Sequence, residues 1–266
     1  MKSFLSLEEK KISKEFEKKG YIIKNIPSKL YIKKIQNLFY NLCKKELNLK
    51  KNIHPNKLLN NFHSYLKKRD LNNLRLKIID KINKSEEMRE LYYLVSKKYL
   101  DILVGNELVM QKRINLSIQT PQDESSLLAV HSDIWSGDSP FEVVVWIPLV
   151  NCYRTKSMYI LPPEKNLFFT KKFKSYCKKN SDEIFNLIKK KVKWININFG
   201  QILIFNQSLP HGNVVNKENE TRWSLNCRFK NIFSPYGDKK IGEFFEPITL
   251  RKISELAMDY ELPKFK

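Results

Sequence analysis

Arg113-Ile114-Asn115-Leu116-Ser117-Ile118-Gln119 alternates strictly between polar and aliphatic residues. Successive side chains of a strand point to opposite faces, so Ile114, Leu116 and Ile118 share one side and Asn115 and Gln119 face the polar other. Outward from this stretch the texture is that of a β-rich chain. Glu142 to Leu149 is a continuous β-branched run, the pattern of a strand buried on both faces. Ser157 to Leu161 is a short strand stopped by Pro162-Pro163, and Trp194 to Asn198, Gln201 to Phe205 and Trp223 to Phe229 follow. About seven or eight short strands after Gly105, separated by turn residues, predict a sandwich or barrel of the jelly-roll kind. Lys165 to Lys191 interrupts them as a polar, partly helical insertion.

Toward the N-terminus the period changes to that of helices. Ser6 followed by Glu9 forms a capping box, Leu7, Ile12 and Phe16 give a loose stripe, and Gly20 ends the helix. Tyr21 to Ile26 reads as a short strand, punctuated by Pro27-Ser28. A second helix is predicted from about Leu30 to Lys45, with Ile32, Ile35, Leu38 and Phe39 on one side. The Asn-rich stretch from Lys51 to Asp70 is expected to be irregular, and helices are predicted near Leu71 to Ile82 and Ser85 to Leu103. The expected architecture is mainly β with α (α+β), as one unit over 1–266. Residues 1–105 form a helical support packed on a core over 106–266, with the insertion at about 165–191.

The 266 residues are 42% hydrophobic, which supplies a sizeable core and argues against wholesale disorder. The formal net charge is +21. Such a balance suits a polyanionic partner, yet Lys171-Lys172 and Lys189-Lys190-Lys191 are scattered among Asn and Ile rather than gathered in one arm. A generally lysine-rich surface accounts for it; a milder reading is a pocket mouth that attracts an anionic small molecule. Cys43, Cys152, Cys177 and Cys227 are too widely spaced for a zinc ribbon or a disulfide framework. No secretory signal is legible in Met1 to Lys10, and the longest apolar run, Val143 to Val150, is too short to span a bilayer. A cytoplasmic setting is expected.

Chemistry concentrates on two of the four histidines, His131 and His211. His131-Ser132-Asp133 places an imidazole and a carboxylate at i and i+2, on one face if the segment is a strand. His211 follows Asp133 by 211 − 133 = 78 residues and directly follows the strand ending at Phe205 and its turn. Two histidines and one carboxylate make the facial set that suits non-haem iron(II), leaving coordination positions open. An H-x-D pair alone is weak, since a hydrogen-bonded histidine beside an aspartate is commoner. Arg222, 222 − 211 = 11 residues after His211, strengthens it. Arg222, Ser224, Asn226 and Arg228 alternate onto one face of a strand, Leu225 and Cys227 onto the other. Arginine clasps a carboxylate in a bidentate way, and Ser224 can add a hydroxyl bond.

The run His131-Ser132-Asp133, the segment Leu209-Pro210-His211-Gly212-Asn213 and the pair Arg222 and Ser224 together resemble the Fe(II)/2-oxoglutarate-dependent oxygenases. The subgroup they are similar to is the phytanoyl-CoA dioxygenase-like one. The eleven-residue step from His211 to Arg222, the opening Phe16-Glu17-Lys18-Lys19-Gly20-Tyr21-Ile22-Ile23 and Ser157-Met158-Tyr159-Ile160-Leu161-Pro162-Pro163 carry that narrower likeness. Narrower still, the chain resembles the oxygenases of bacterial surface-carbohydrate gene clusters. The resemblance implies a double-stranded β-helix (a cupin-like jelly roll). It implies Fe(II) on His131, Asp133 and His211, and 2-oxoglutarate chelating that iron with its 5-carboxylate on Arg222 and Ser224. It also implies consumption of O2 with release of succinate, usually to hydroxylate a substrate.

Other residues admit two readings each. Asn115 and Gln119 are candidates for co-substrate contacts. Arg228 either holds substrate or the co-substrate's 1-carboxylate, or makes a buried ion pair. Trp135 either walls the substrate pocket or fills core; Trp146 and Trp194 are expected in the core, and His54 and His63 on the surface. Lys165 to Lys191 and the Asn-rich stretch before Asp70 are candidate lids. The implied partner is a small polar metabolite, such as a sugar or nucleotide-sugar. An oxidative nucleic-acid demethylase is the alternative that the charge and the Arg222-to-Arg228 step of six favour. A non-catalytic binding module on the same fold is the third.

Overall fold

The computed structural model describes residues 4–176 and 178–262; Cys177 and the first three residues of the opening segment lie outside them. Helix α1 (Leu7–Lys19) starts where the capping box predicts: the Ser6 hydroxyl accepts from the Glu9 amide, and Glu9 accepts from the Ser6 amide at 2.7 Å. It stops at Gly20, which turns left-handed at φ 76°. A Cβ there would sit 2.1 Å from Leu209 Cδ1, so this glycine also lets the chain pass close to the turn before His211. Strand β1 (Tyr21–Asn25) follows, then α2 (Lys29–Glu46), α3 (Pro55–Asn60), α4 (Leu71–Asn83) and α5 (Glu86–Leu103).

The expectation of an irregular segment from Lys51 to Asp70 is corrected. Pro55 opens α3, single 3-10 turns follow at Phe62–Ser64 and Lys68–Asp70, and Leu58, Leu59 and Phe62 are fully buried. One and a half helical turns among Asn and Lys are too short to display a period.

The strands are β2 (Leu108–Gln111), β3 (Asn115–Gln119), β4 (Glu142–Pro148), β5 (Tyr159–Ile160), β6 (Lys193–Trp194), β7 (Gln201–Asn206), β8 (His211–Gly212), β9 (Arg222–Asn231) and β10 (Phe245–Thr249), with α9 (Lys252–Met258) last. They form two antiparallel sheets, the two halves of a double-stranded β-helix. The larger runs β1-β7-β4-β9-β2-β10, with β3 also on β9; the smaller runs β6-β5-β8. β9 is the hinge of the layout. Its first half pairs with β3 (Gln119 opposite Arg222, Ser117 opposite Ser224, Asn115 opposite Asn226), its last residues with β2, and its other edge with β4.

The two faces of β9 explain where the polar residues go. Trp223, Leu225, Cys227 and Phe229 are fully buried in the main core. Phe62 and Phe39 meet the Trp223 ring edge-on at 4.9 and 6.3 Å, Trp223 Nε1 donates to the Leu59 carbonyl, and Tyr92 stacks on Phe229. The helices therefore cover this face, and burial of so large an aromatic makes Trp223→Ala cost about 3–5 kcal/mol. Arg222, Ser224, Asn226 and Arg228 are left on the opposite face, inside the barrel.

The insertion is more ordered than its polarity suggests. It folds into α6 (Pro163–Lys171), α7 (Phe173–Tyr176) and α8 (Ser181–Ile188), with Phe169 and Ile188 buried in a second apolar cluster with Val130, Tyr159 and Leu161. Trp194 is corrected from core to surface: it lies on β6 at the sheet edge, 37% exposed, with one side against Tyr159. Trp146 does belong to the core. Among the described residues no helix is long and apolar enough to cross a membrane.

Candidate active site

His131 and His211 are cross-strand neighbours in an isolated antiparallel bridge, each amide donating to the other's carbonyl at 3.0 and 2.8 Å. This pairing, rather than a continuous strand, brings residues from distant parts of the chain together. The expectation that His131 and Asp133 share a strand face is corrected here. After the bridge the chain turns into a single 3-10 turn, Asp133–Ser136, which carries the carboxylate back toward the imidazoles. The Asp133 amide is fixed by the Gln207 carbonyl at 3.1 Å, and Ser132 Oγ donates to the carbonyls of Gln207 and Ser208.

The result is a three-donor cluster. One atom each from His131, Asp133 and His211 lies within 4.8 Å of the others, and His131 Nε2 is 3.5 Å from Asp133 Oδ1. Nδ1 of His131 lies 2.8 Å from the Ala129 carbonyl, and Nδ1 of His211 2.8 Å from the Leu209 carbonyl. A carbonyl only accepts, so both Nδ1 atoms carry the proton and both Nε2 lone pairs are free for a metal. Burial, helped by the neighbouring His131, pushes the His211 pKa down to about 4, which keeps that imidazole neutral with its Nε2 lone pair free. Gly212 permits this packing: a Cβ would come within 2.7 Å of the Tyr159 hydroxyl and 2.8 Å of the Leu128 carbonyl. Two imidazoles and one carboxylate on one side of an ion are a donor set suited to a divalent transition metal with open positions.

Arg228 resolves its two readings toward the ion pair. Nη2 meets Asp133 Oδ2 at 2.9 Å, Nε meets Asp138 Oδ1 at 3.3 Å, and Nε and Nη1 reach Gln207 and Gln111. It lines the pocket and holds the Asp133 carboxylate in place. Asp138 is buried and also pairs with Lys239.

Arg222 is placed quite differently. It is 3% exposed, with Nη1 donating to the Ser157 carbonyl (3.2 Å) and Nη2 to Ser117 Oγ (2.7 Å). Its Nε has no partner, and Ser224 Oγ and Ser157 Oγ are also buried without one. None of its partners is a carboxylate. Burial lowers its pKa to about 10, the response of a cation with no adjacent counter-charge. An unneutralised guanidinium beside unsatisfied hydroxyls is costly unless an anion completes the set. The residues present therefore fit a carboxylate.

One cavity of about 470 Å³ joins the two features, lined by the three candidate ligands and by Arg222, Ser224, Asn226, Arg228, Asn115 and Ser117. That size suits a small molecule. Asn115 Nδ2 donates to Asn226 Oδ1 at 3.0 Å, so the two amides form one patch of the wall. Two candidates fall outside. Gln119 is fully buried and donates to the Val214 carbonyl at 2.6 Å, so it ties β3 to the segment after β8 instead of facing the cavity. Trp135 is 39% exposed and lies against Phe169 and Phe173 of the insertion, so it neither walls the pocket nor fills the core. His54 is exposed, whereas His63 is half-buried against Thr221 Oγ1 at 2.9 Å, next to Arg222 in the chain. Among the described residues of the insertion none lines the cavity; Phe169 and Phe173 pack on Trp135, and Phe185 on Tyr159. Sequence reading overlooked Arg75, which reaches the pocket from α4, and Ser117, for which the polar face of β3 was a sufficient signal.

No family model and no curated sequence matches the chain. Solved structures do. A non-heme monooxygenase, ThoJ, in complex with nickel, aligns at TM-score 0.54 and 12% identity over 90% of this chain and 84% of its own. The non-heme alpha-ketoglutarate-dependent carbocyclase SnoK from nogalamycin biosynthesis aligns at 0.55 and 13%, over 92% and 97%. EctD from S. alaskensis, with 2-oxoglutarate and 5-hydroxyectoine, aligns at 0.54 and 13%, over 87% and 78%. With its two antiparallel sheets and helical flank, the chain has the cupin-like double-stranded β-helix fold of these non-heme proteins.

Proposed function

We propose that the protein is a non-haem iron(II), 2-oxoglutarate-dependent oxygenase acting on a small polar metabolite. One observation carries the reading: the three-donor set and the unneutralised, buried Arg222 open into one small cavity. His131, Asp133 and His211 would hold the iron, and Arg222 with Ser224 the distal carboxylate of 2-oxoglutarate. Bound together with O2, iron and 2-oxoglutarate supply an oxidant for an unactivated C–H bond. The chain's own contribution is positional. The bridge between the histidines and their Nδ1–H bonds fix the two imidazoles, Arg228 orients Asp133, and the aliphatic and aromatic wall of Val144, Trp146 and Phe205 excludes water.

The narrower reading is a phytanoyl-CoA dioxygenase-like enzyme that oxidises a sugar or nucleotide-sugar for surface-polysaccharide synthesis, in the cytoplasm. The amide patch of Asn115 and Asn226 and the nearby Asn213 offer hydrogen bonds of the kind a polyol uses. Hydroxylation is the default outcome, although a carbocyclase among the structural neighbours shows that this fold hosts others.

Anaerobic titration of Fe(II) and 2-oxoglutarate tests the reading through the weak visible charge-transfer band of the chelate. The band is expected in wild type, absent in Asp133→Ala and weakened in Arg222→Ala. No band and no retained iron in wild type would overturn it.

A further inference from the structure

With those roles assigned, one cation in the pocket is left without a task. Arg75, on α4, lines the cavity beside Ser125 and Ser126. Its Nη2 donates to the Ile118 carbonyl (3.3 Å) and to Ser126 Oγ (2.5 Å), while the buried Nε has no partner. Asp123 acts on it only at longer range. Both oxygens of that carboxylate are occupied, by the Ser125 amide and by the hydroxyls of Ser125 and Ser126, at 3.0 to 3.3 Å. Asp123 thus builds the loop that tethers Arg75 through Ser126 and makes no ion pair with it.

Formal charges sharpen the point. With iron and 2-oxoglutarate in place, Arg228 is answered by Asp133 and Asp138, and Arg222 by the distal carboxylate of the co-substrate. Among the described residues lining the cavity, Arg75 then stands as the cation without a counter-charge inside it. Lysines scattered over the surface do not discriminate between ligands; a half-buried guanidinium held by a carbonyl and a hydroxyl does.

We propose that Arg75, positioned by the Ser125–Ser126 loop, seats an oxyanion of the substrate, a carboxylate or a phosphate monoester, and that Asn115 and Asn226 bind the polar body attached to it. The inference rests on the function proposed above for the same pocket and narrows its substrate to small anionic metabolites.

Calorimetric titration of the anaerobic protein, loaded with Fe(II) and 2-oxoglutarate at low ionic strength, tests it with methyl phosphate and acetate as probes. Wild type is expected to bind at least one of the two, and the tighter one identifies the kind of oxyanion. Arg75→Gln should weaken that binding at least tenfold and Arg75→Lys less, with the chelate band unchanged in both. Should Arg75→Gln fail to fold, Ser126→Ala, which keeps the charge and removes its tether, should still weaken binding several-fold. Equal affinity in wild type and variant, or no binding of either probe, would overturn the inference while leaving the chelate band standing. Arg75-dependent binding in a protein that never forms the band would leave the inference standing and remove the oxygenase reading.

Discussion

Arg222 and Arg228 lie on the same face of one strand, yet their replacement by methionine should give opposite results. Arg228→Met removes ion pairs at 2.9 Å to Asp133 and 3.3 Å to Asp138; Asp138 keeps Lys239, and Asp133 is left buried without its arginine. Breaking a buried pair from one side costs about 3–5 kcal/mol, because the remaining charge is left unsolvated. For a chain of this size that lowers the melting temperature by on the order of 10 °C. Arg222→Met removes a cation that has only neutral partners. Its pKa of about 10, against 12.5 normally, puts the cost of keeping it charged at about 3 kcal/mol. Losing its bonds to Ser157 and Ser117, both made by a charged donor, costs about 1.5–3 kcal/mol each. The two effects largely offset, for a net cost of about 0–3 kcal/mol, so the metal-free variant should melt less far below wild type than Arg228→Met does. Its affinity for 2-oxoglutarate should nevertheless fall by about 2–5 kcal/mol, roughly thirtyfold to several thousandfold, the usual loss when one partner of a buried charge pair is truncated. Scanning calorimetry of the metal-free proteins and anaerobic titration with 2-oxoglutarate measure both quantities. If Arg222→Met melted as low as Arg228→Met, or bound 2-oxoglutarate like wild type, the assignment of Arg222 as an anion seat would be refuted.

Further outcomes follow from the same geometry. His211 has its pKa lowered to about 4, so between the usual imidazole value near 6.5 and about 4 the native state binds fewer protons than the unfolded one. Stability of the metal-free protein should therefore be intact above pH 6.5 and fall as the pH drops through this window, by up to about 3 kcal/mol. His211→Gln should flatten that slope in urea titrations at stepped pH. Gly212→Ala forces a methyl against the Tyr159 hydroxyl and the Leu128 carbonyl. It should cost about 1–3 kcal/mol and weaken metal binding, read by competition with a chromophoric chelator. Trp135→Ala should speed proteolytic cutting within 163–191 while leaving the chelate band intact, since Trp135 packs on Phe169 and Phe173 and not on the ligands.

The β-rich core was legible because alternation is a local property. Asn115 to Gln119 and Arg222 to Arg228 show their faces in the residue order itself, and the capping box at Ser6 and the stop at Gly20 are equally local. The triad and Arg222 stood out by residue type and spacing. What stayed hidden depends on pairing between distant residues. Arg228 reads the same as Arg222 until Asp133 and Asp138 are brought beside it. Gln119 has the same strand parity as Asn115 and Ser117, but the chain after β8 covers it. Strand β10 lies on β2 with an irregular register between Pro247 and Thr249, and such a strand carries no clean period. Trp135 is an aromatic beside a ligand whose neighbour is decided by where the insertion folds. Arg75 sits on a helix whose sequence gives no sign that one residue reaches through to the barrel.

The isolated bridge between His131 and His211 has a consequence for how long the protein lasts. An ion held at both ends would act as a staple across 211 − 131 = 80 residues, enclosing β4 to β7 and the whole insertion. By analogy with a covalent crosslink, closing a loop of that length restricts the unfolded chain by on the order of 4 to 5 kcal/mol. The segment is therefore expected to be far more resistant to proteases when metal is bound. Pulse proteolysis with and without Mn(II), a redox-quiet substitute, would show it, and equal cutting rates would dismiss it. The turnover of the polypeptide in a cell would then follow the supply of iron, quite apart from whether any substrate is present.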